Sequence, residues 1–166
     1  MATVIRGDDN FDTAFSESIA IIADVKATGV EGGSSVAGWQ DRVLNTELSD
    51  DQNLVTLSSN QFTLQAGKYF INFDAPAYNS SLHHAQLYNV TDSSVSIEGT
   101  GEFTWITDNA HTRTFGSGVV TITGAKTFKV RHRIATAHGS NGLGVSVQSG
   151  QGNSVFTRVT IRKIGA

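Results

Sequence analysis

Five histidines and fifteen acidic residues are the groups in this 166-residue chain best suited to metal binding or acid–base chemistry. His83-His84 opens a pattern that His111, His132 or His138 would complete as a metal site. Adjacent strand residues point to opposite faces, so the paired rings do not serve one ion. The histidines are read as ordinary surface or loop residues. The absence of cysteine excludes thiolate zinc sites and disulfides. There is no Gly-x-Ser-x-Gly elbow, and the carboxylates show no local pairing of glycosidase type. Gly142-Leu143-Gly144 has no helix pattern after it and reads as a turn rather than a phosphate loop. Neither an enzyme nor a cofactor is expected. Arg6-Gly7-Asp8 matches an integrin-binding tripeptide, and Asn79-Ser80-Ser81 and Asn89-Val90-Thr91 match glycosylation acceptors. Without a secretion signal, all three are read as chance.

Charge is the next chemical feature. Net charge is −3, but residues 1–51 hold ten Asp/Glu against three Lys/Arg, while the chain after Asp108 holds eight Lys/Arg and no acid. The simplest expectation is that the acidic front neutralises the basic back, within one domain or between neighbours. In Phe128–Ile134, alternation places Phe128, Val130, His132 and Ile134 on one face and Lys129, Arg131 and Arg133 on the other. These three cations are expected to be solvated or matched by acids. The basic residues are not clustered with stacking aromatics, so no nucleic-acid partner is expected.

The elements that must position these groups are strands. Seventeen glycines, one proline and many short β-branched runs suit an all-β chain of one domain's size. No apolar run approaches membrane-spanning length and the first 15 residues lack a signal-peptide pattern, so neither membrane nor leader is expected. The central stretch is Gln61 to Ala77. Phe62 and Leu64 alternate with polar residues, Ala66-Gly67 supplies a turn, and Tyr69, Ile71 and Phe73 share one face of a second strand that Pro76 closes. Phe70 and Asn72 lie on the opposite face. Further strands are read at Trp39–Leu48, Leu54–Leu57, His84–Thr91, Val95–Glu98, Glu102–Ile106, Thr114–Ile122, Phe128–Ile134 and Val155–Ile164, with weak character at Leu143–Val147. Eight to ten short strands predict a sandwich or barrel.

The pattern around Leu64, Ala66-Gly67, Tyr69 and Ile71, followed by Leu87-Tyr88-Asn89-Val90-Thr91-Asp92, resembles the trimeric jelly-roll superfamily of tumour necrosis factor and the complement globular head. With Trp39, Arg42-Val43-Leu44-Asn45 and the final Thr157-Arg158-Val159-x-Ile161 strand, it is similar to jelly-roll domains of tailed-bacteriophage virion proteins over roughly residues 38–164. This resemblance implies an antiparallel jelly-roll sandwich that forms a homotrimer, with Phe70, Asn72, Phe115, Phe156 and Arg158 at the three-fold interface. Asn72 replaces an aromatic common there, which implies a more polar middle of the axis.

Residues 1–38 read as an N-terminal arm and Gly/Ser loop, or as a frayed terminus plus one edge strand, with Ser18–Val25 a strand or one helical turn, and 39–166 as the jelly roll. In the arm, Phe11, Phe15, Ile19, Ile21 and Ile22 are the residues expected to grip a capsid, since the segment buries too little apolar area alone. Because the chain starts at Met1 and is nearly all jelly roll, the expected role is a capsid decoration (cement) protein on the virion surface, bound to the major capsid protein. The alternative is the tip of a tail fibre, with the loops Thr107–Arg113 and Ala137–Asn153 touching a host receptor or glycan.

Overall fold

The computed structural model describes residues 18–146 and 152–166. Two antiparallel sheets pack face to face as a jelly-roll sandwich. In chain order the strands are β1 (Ser18–Lys26), β2 (Gly38–Asp41), β3 (Thr46–Ser49), β4 (Thr56–Ser58), β5 (Gln61–Leu64), β6 (Gly67–Tyr78), β7 (Ser81–Asn89), β8 (Ser94–Glu98), β9 (Glu102–Thr104), β10 (His111–Ile122), β11 (Lys126–Ile134) and β12 (Ser154–Gly165). Sheet A has the order β10-β6-β12-β1-β3. Sheet B runs β4-β5-β11-β7-β8, with β2 beside β11 and β9 beside β7.

Period-two alternation builds the core. Tyr69, Ile71, Phe73 and Ala75 point inward from β6, and Phe62, Leu64, Leu87, Phe128 and Val130 meet them from sheet B. Phe62 and Phe128 stack across β5 and β11 with centroids 5.6 Å apart. Gly116 lets β10 cross Phe73 closely, since a Cβ there would stand 2.2 Å from that ring.

Several sequence expectations are corrected. Gln61–Ala77 is not a hairpin: β5 lies in sheet B and β6 in sheet A, so the Ala66-Gly67 turn crosses between layers. Both strands send apolar faces into the same core from opposite sides, a pattern alternation cannot tell from a hairpin. Pro76 does not end β6, which continues to Tyr78. The β12 ladder on β6 begins at Asp74, so Pro76 lies beyond it and no donor is missed there. Trp39–Leu48 is likewise two strands in different sheets, with Arg42 crossing between them. No strand forms over the described residues of Leu143–Val147.

The largest correction concerns the arm. Residues 18–26 form β1, held between β12 and β3, and Ala20 and Ile22 are fully buried in the core. Ile19, Ile21 and Ile22 are therefore strand residues of the domain, which begins by Ser18 rather than at 39. Completing the sheet supplies the burial that the segment lacks in isolation. Phe11 and Phe15 lie outside the described residues. The Gly/Ser loop is also tied down: Gly32 N–H donates to Gly144 O (2.8 Å), Leu143 N–H to Gly33 O (2.9 Å) and Ser35 N–H to His138 O (2.9 Å).

Candidate functional site: two opposed sheet faces

The outer face of sheet A is a three-by-three grid set by strand register. Phe115–Asp74–Arg158, Ser117–Asn72–Thr160 and Val119–Phe70–Arg162 lie in successive rows across β10, β6 and β12. Phe115 and Val119 are 55% and 52% exposed, and Phe70 is half-buried between its neighbours. Phe70, Asn72, Phe115 and Arg158 thus share this face, and the middle row is polar. A groove of about 570 Å³ runs along this face from Arg158 and Thr160 past Phe115 to Glu98 and Thr100. Val119 and Ser117 were missed by the sequence reading, although the alternation Phe115, Ser117, Val119 carries their signal.

Phe156 is the exception. It is 2% exposed, with its ring against Gly144 and Pro76 alongside. Gly144 has φ +134°, and a Cβ there would stand 2.4 Å from the Phe156 ring. A register shift between Ala23 and Val25 in the β1–β12 ladder accompanies burial of both Phe156 and Thr157, so strict alternation fails there. Phe156 is a packing residue of its own chain rather than an element of an exposed face.

Beside this face, Arg113 pairs with Asp74 and donates to Phe156 O (2.7 Å) and Val155 O (3.1 Å). Burial raises the Asp74 pKa, and the adjoining Arg113, Arg158 and Arg42 oppose that rise. Deeper, Arg42 is fully buried. It donates Nε–H to Thr157 Oγ1 (2.7 Å), Nη1–H to Pro76 O (3.1 Å) and Nη2–H to Leu143 O (2.8 Å). Desolvation lowers its pKa to about 10, partly offset by Asp24. The guanidinium stitches β6, β12 and the 140s loop together.

Two histidines overturn the surface-or-loop expectation. His83 and His132 are buried, with His83 Nδ1 3.0 Å from His132 Nε2, and His83 Nε2 is 2.8 Å from Thr112 Oγ1. One nitrogen of the shared hydrogen bond must lack a proton, so both rings cannot be charged. Burial lowers His83 to about 4, opposed by Glu102 and aided by Arg42, and burial with Arg42 lowers His132 to about 2. Among the described residues no group of three or more His, Cys, Asp or Glu is placed to hold a metal ion. Of the other histidines, His138 packs edge-on against Tyr78 (5.3 Å), His84 against Trp39 (5.0 Å), and His111 is exposed.

The outer face of sheet B carries the basic strand, with Lys129, Arg131 and Arg133 outward and His132 inward as alternation requires. Lys129 Nζ donates to Asp41 Oδ2 at 2.9 Å. Arg131 lies between two rings, 4.5 Å from the Trp39 centroid and 3.9 Å from that of Tyr88, and donates to Gln86 Oε1. Stacking aromatics therefore do accompany the cations, contrary to the sequence reading. They arrive from β2 and β7, which the sequence keeps far apart. Lys126–Asp92 and Lys129–Asp41 join the basic back to acids further forward, within one domain. Asn79 and Asn89 are both buried, so neither acceptor motif presents an accessible amide. Arg6-Gly7-Asp8 lies outside the described residues.

Solved structures decide the fold. The chain is similar to murine APRIL (TM-score 0.59, 8% identity, covering 90% of this chain and 100% of that one). It is similar also to the globular domain of zebrafish complement 1qA (TM-score 0.57, 14% identity, 90% and 98%) and to the Eiger TNF of S. frugiperda (TM-score 0.56, 10% identity, 89% and 92%). This is a TNF/C1q-like jelly roll. No family model and no curated protein matches the sequence. At these identities the likeness concerns fold alone.

Proposed function

We propose that the chain is a homotrimeric, non-catalytic binding module and a structural protein of a tailed-phage particle. In that role it decorates the capsid and cements neighbouring capsomers through the major capsid protein. The observation that carries the self-association is the sheet A grid, with Phe115 and Val119 exposed around a polar middle row. Closed three-fold association removes such a face from water without leaving a free copy of it. Equilibrium sedimentation at micromolar concentration should give three times the chain mass; a monomer would overturn this reading. Binding to an assembled shell then stabilises that shell by mass action. The particle assignment rests on the resemblance of the Trp39, Leu87–Asp92 and Thr157–Ile161 motifs. It is tested by copy number in purified virions, measured by quantitative mass spectrometry against the major capsid protein. Hundreds of copies support decoration.

One observation favours a second reading, the host-binding tip of a fibre. Leu82, Phe103, Trp105 and Ile106 form an exposed apolar group around the β7–β9 pair, with Leu82 63% and Trp105 62% exposed. A few to a few tens of copies per particle would favour that role.

A further inference from the structure

At the β7–β9 edge of sheet B lies a cleft of about 540 Å³, with Leu82, His84, Phe103 and Arg133 on its outward side and Glu102, the ladder partner of His83, on its inner side. That is the size of a small-ligand site, and it combines an aromatic wall with a few polar groups. Phe103 lies directly across the ladder from Leu82, and Trp105 continues the wall, edge-on to Phe103 at 5.0 Å. His83 forms the floor, its ring nitrogens already engaged by His132 and Thr112. His84, on the outward rim, is held by Trp39, and Glu102, on the inner side, accepts from Thr100 Oγ1 at 2.9 Å.

The charge arrangement selects the ligand. Of the three outward cations of β11, Lys129 is paired with Asp41 and Arg131 is held between Trp39 and Tyr88. Arg133 is exposed and makes no ion pair among the described residues. A polyanion such as a nucleic acid needs several available cations along its path. Here one guanidinium fork is available, which suits one carboxylate bound through two parallel hydrogen bonds. Exposed aromatics beside hydroxyl-binding groups suit the apolar face and the hydroxyl edge of a pyranose.

We propose that this cleft binds an acidic oligosaccharide. Arg133 takes the sugar carboxylate, Phe103 and Trp105 pack on the ring, and His84 engages a hydroxyl. Sheet A remains available for self-association on the opposite side of the sandwich, so the proposal stands whether or not the chain trimerises and whatever its place on a particle.

The test is a titration of the full chain, followed by amide chemical shifts, with 3′-sialyllactose and trigalacturonate as acidic probes and lactose as the neutral control. At least one acidic probe should saturate with millimolar or tighter affinity and shift β7, β9 and β11 amides, with lactose at least tenfold weaker. Arg133→Gln should weaken the acidic probe at least tenfold, and Trp105→Ala several-fold, both retaining the wild-type thermal midpoint and sedimentation mass. Failure of both acidic probes to shift these amides would overturn the proposal in favour of a protein contact. So would equal binding of lactose, or unchanged affinity in Arg133→Gln.

Discussion

Lowering the pH from 7 to 5 should destabilise the protein through the His83–His132 pair. In the unfolded chain both rings have the ordinary pKa of 6.5, whereas folding lowers them to about 4 and about 2. Below pH 6.5 the unfolded state binds protons that the folded state does not, so stability falls as pH falls. For each ring the loss continues until the folded ring itself protonates. Holding one histidine neutral at pH 5 costs about 2 kcal/mol relative to the free residue, so the pair costs about 4 kcal/mol. At roughly 2–4 °C per kcal/mol for a chain of this size, the melting midpoint should drop by roughly 8–16 °C. Asp24 and Asp74, whose pKa values burial raises, act in the opposite direction as the pH approaches them. Arg42 beside the pair adds repulsion to any charged ring. The assay is calorimetry at fixed protein concentration, on the wild type and on the His83→Asn, His132→Asn double variant. The variant should begin less stable at pH 7 but lose little more at pH 5. A double variant with the same pH loss as the wild type would refute the assignment.

On the proposed trimer, Phe115→Asp should give monomers at micromolar concentration by sedimentation, because it would place three like charges at one axis. Phe156→Asp should instead unfold the chain, as that side chain fills its own domain. Arg42→Met removes three buried hydrogen bonds and leaves the Pro76 and Leu143 carbonyls unsatisfied, a loss of roughly 3–5 kcal/mol readable as a lower urea midpoint. Gly144→Ala meets the Phe156 ring at a positive φ and should cost roughly 1–3 kcal/mol, visible as a lower melting midpoint. Removing residues 1–24 should abolish dispersed amide shifts, since it deletes most of strand β1, which lies between β12 and β3.

The sequence by itself determined the fold class and most of the strands. Alternation of residue type is a local property, and it put Tyr69, Ile71 and Phe73 on one face and Phe70 and Asn72 on the other before any neighbour was known. It put His132 on the same face as Phe128, Val130 and Ile134 by the same rule, without assigning it to the core. Which strands meet is not local. Leu64 and Tyr69 belong to different sheets, and β1 is ordered only by the neighbours β12 and β3. The arm reading of Ile19, Ile21 and Ile22 failed because the apolar area that fixes them belongs to residues over a hundred positions away. Phe156 failed for the same reason: a loop carrying Gly144 covers it, and no alternation rule encodes a loop's path. The His83–His132 pair, the Trp39–Arg131–Tyr88 stack and the Arg133 cleft are likewise products of tertiary structure. Each joins side chains whose meeting is decided by strand register across the sheet, and register is set by the whole core rather than by any one stretch of chain.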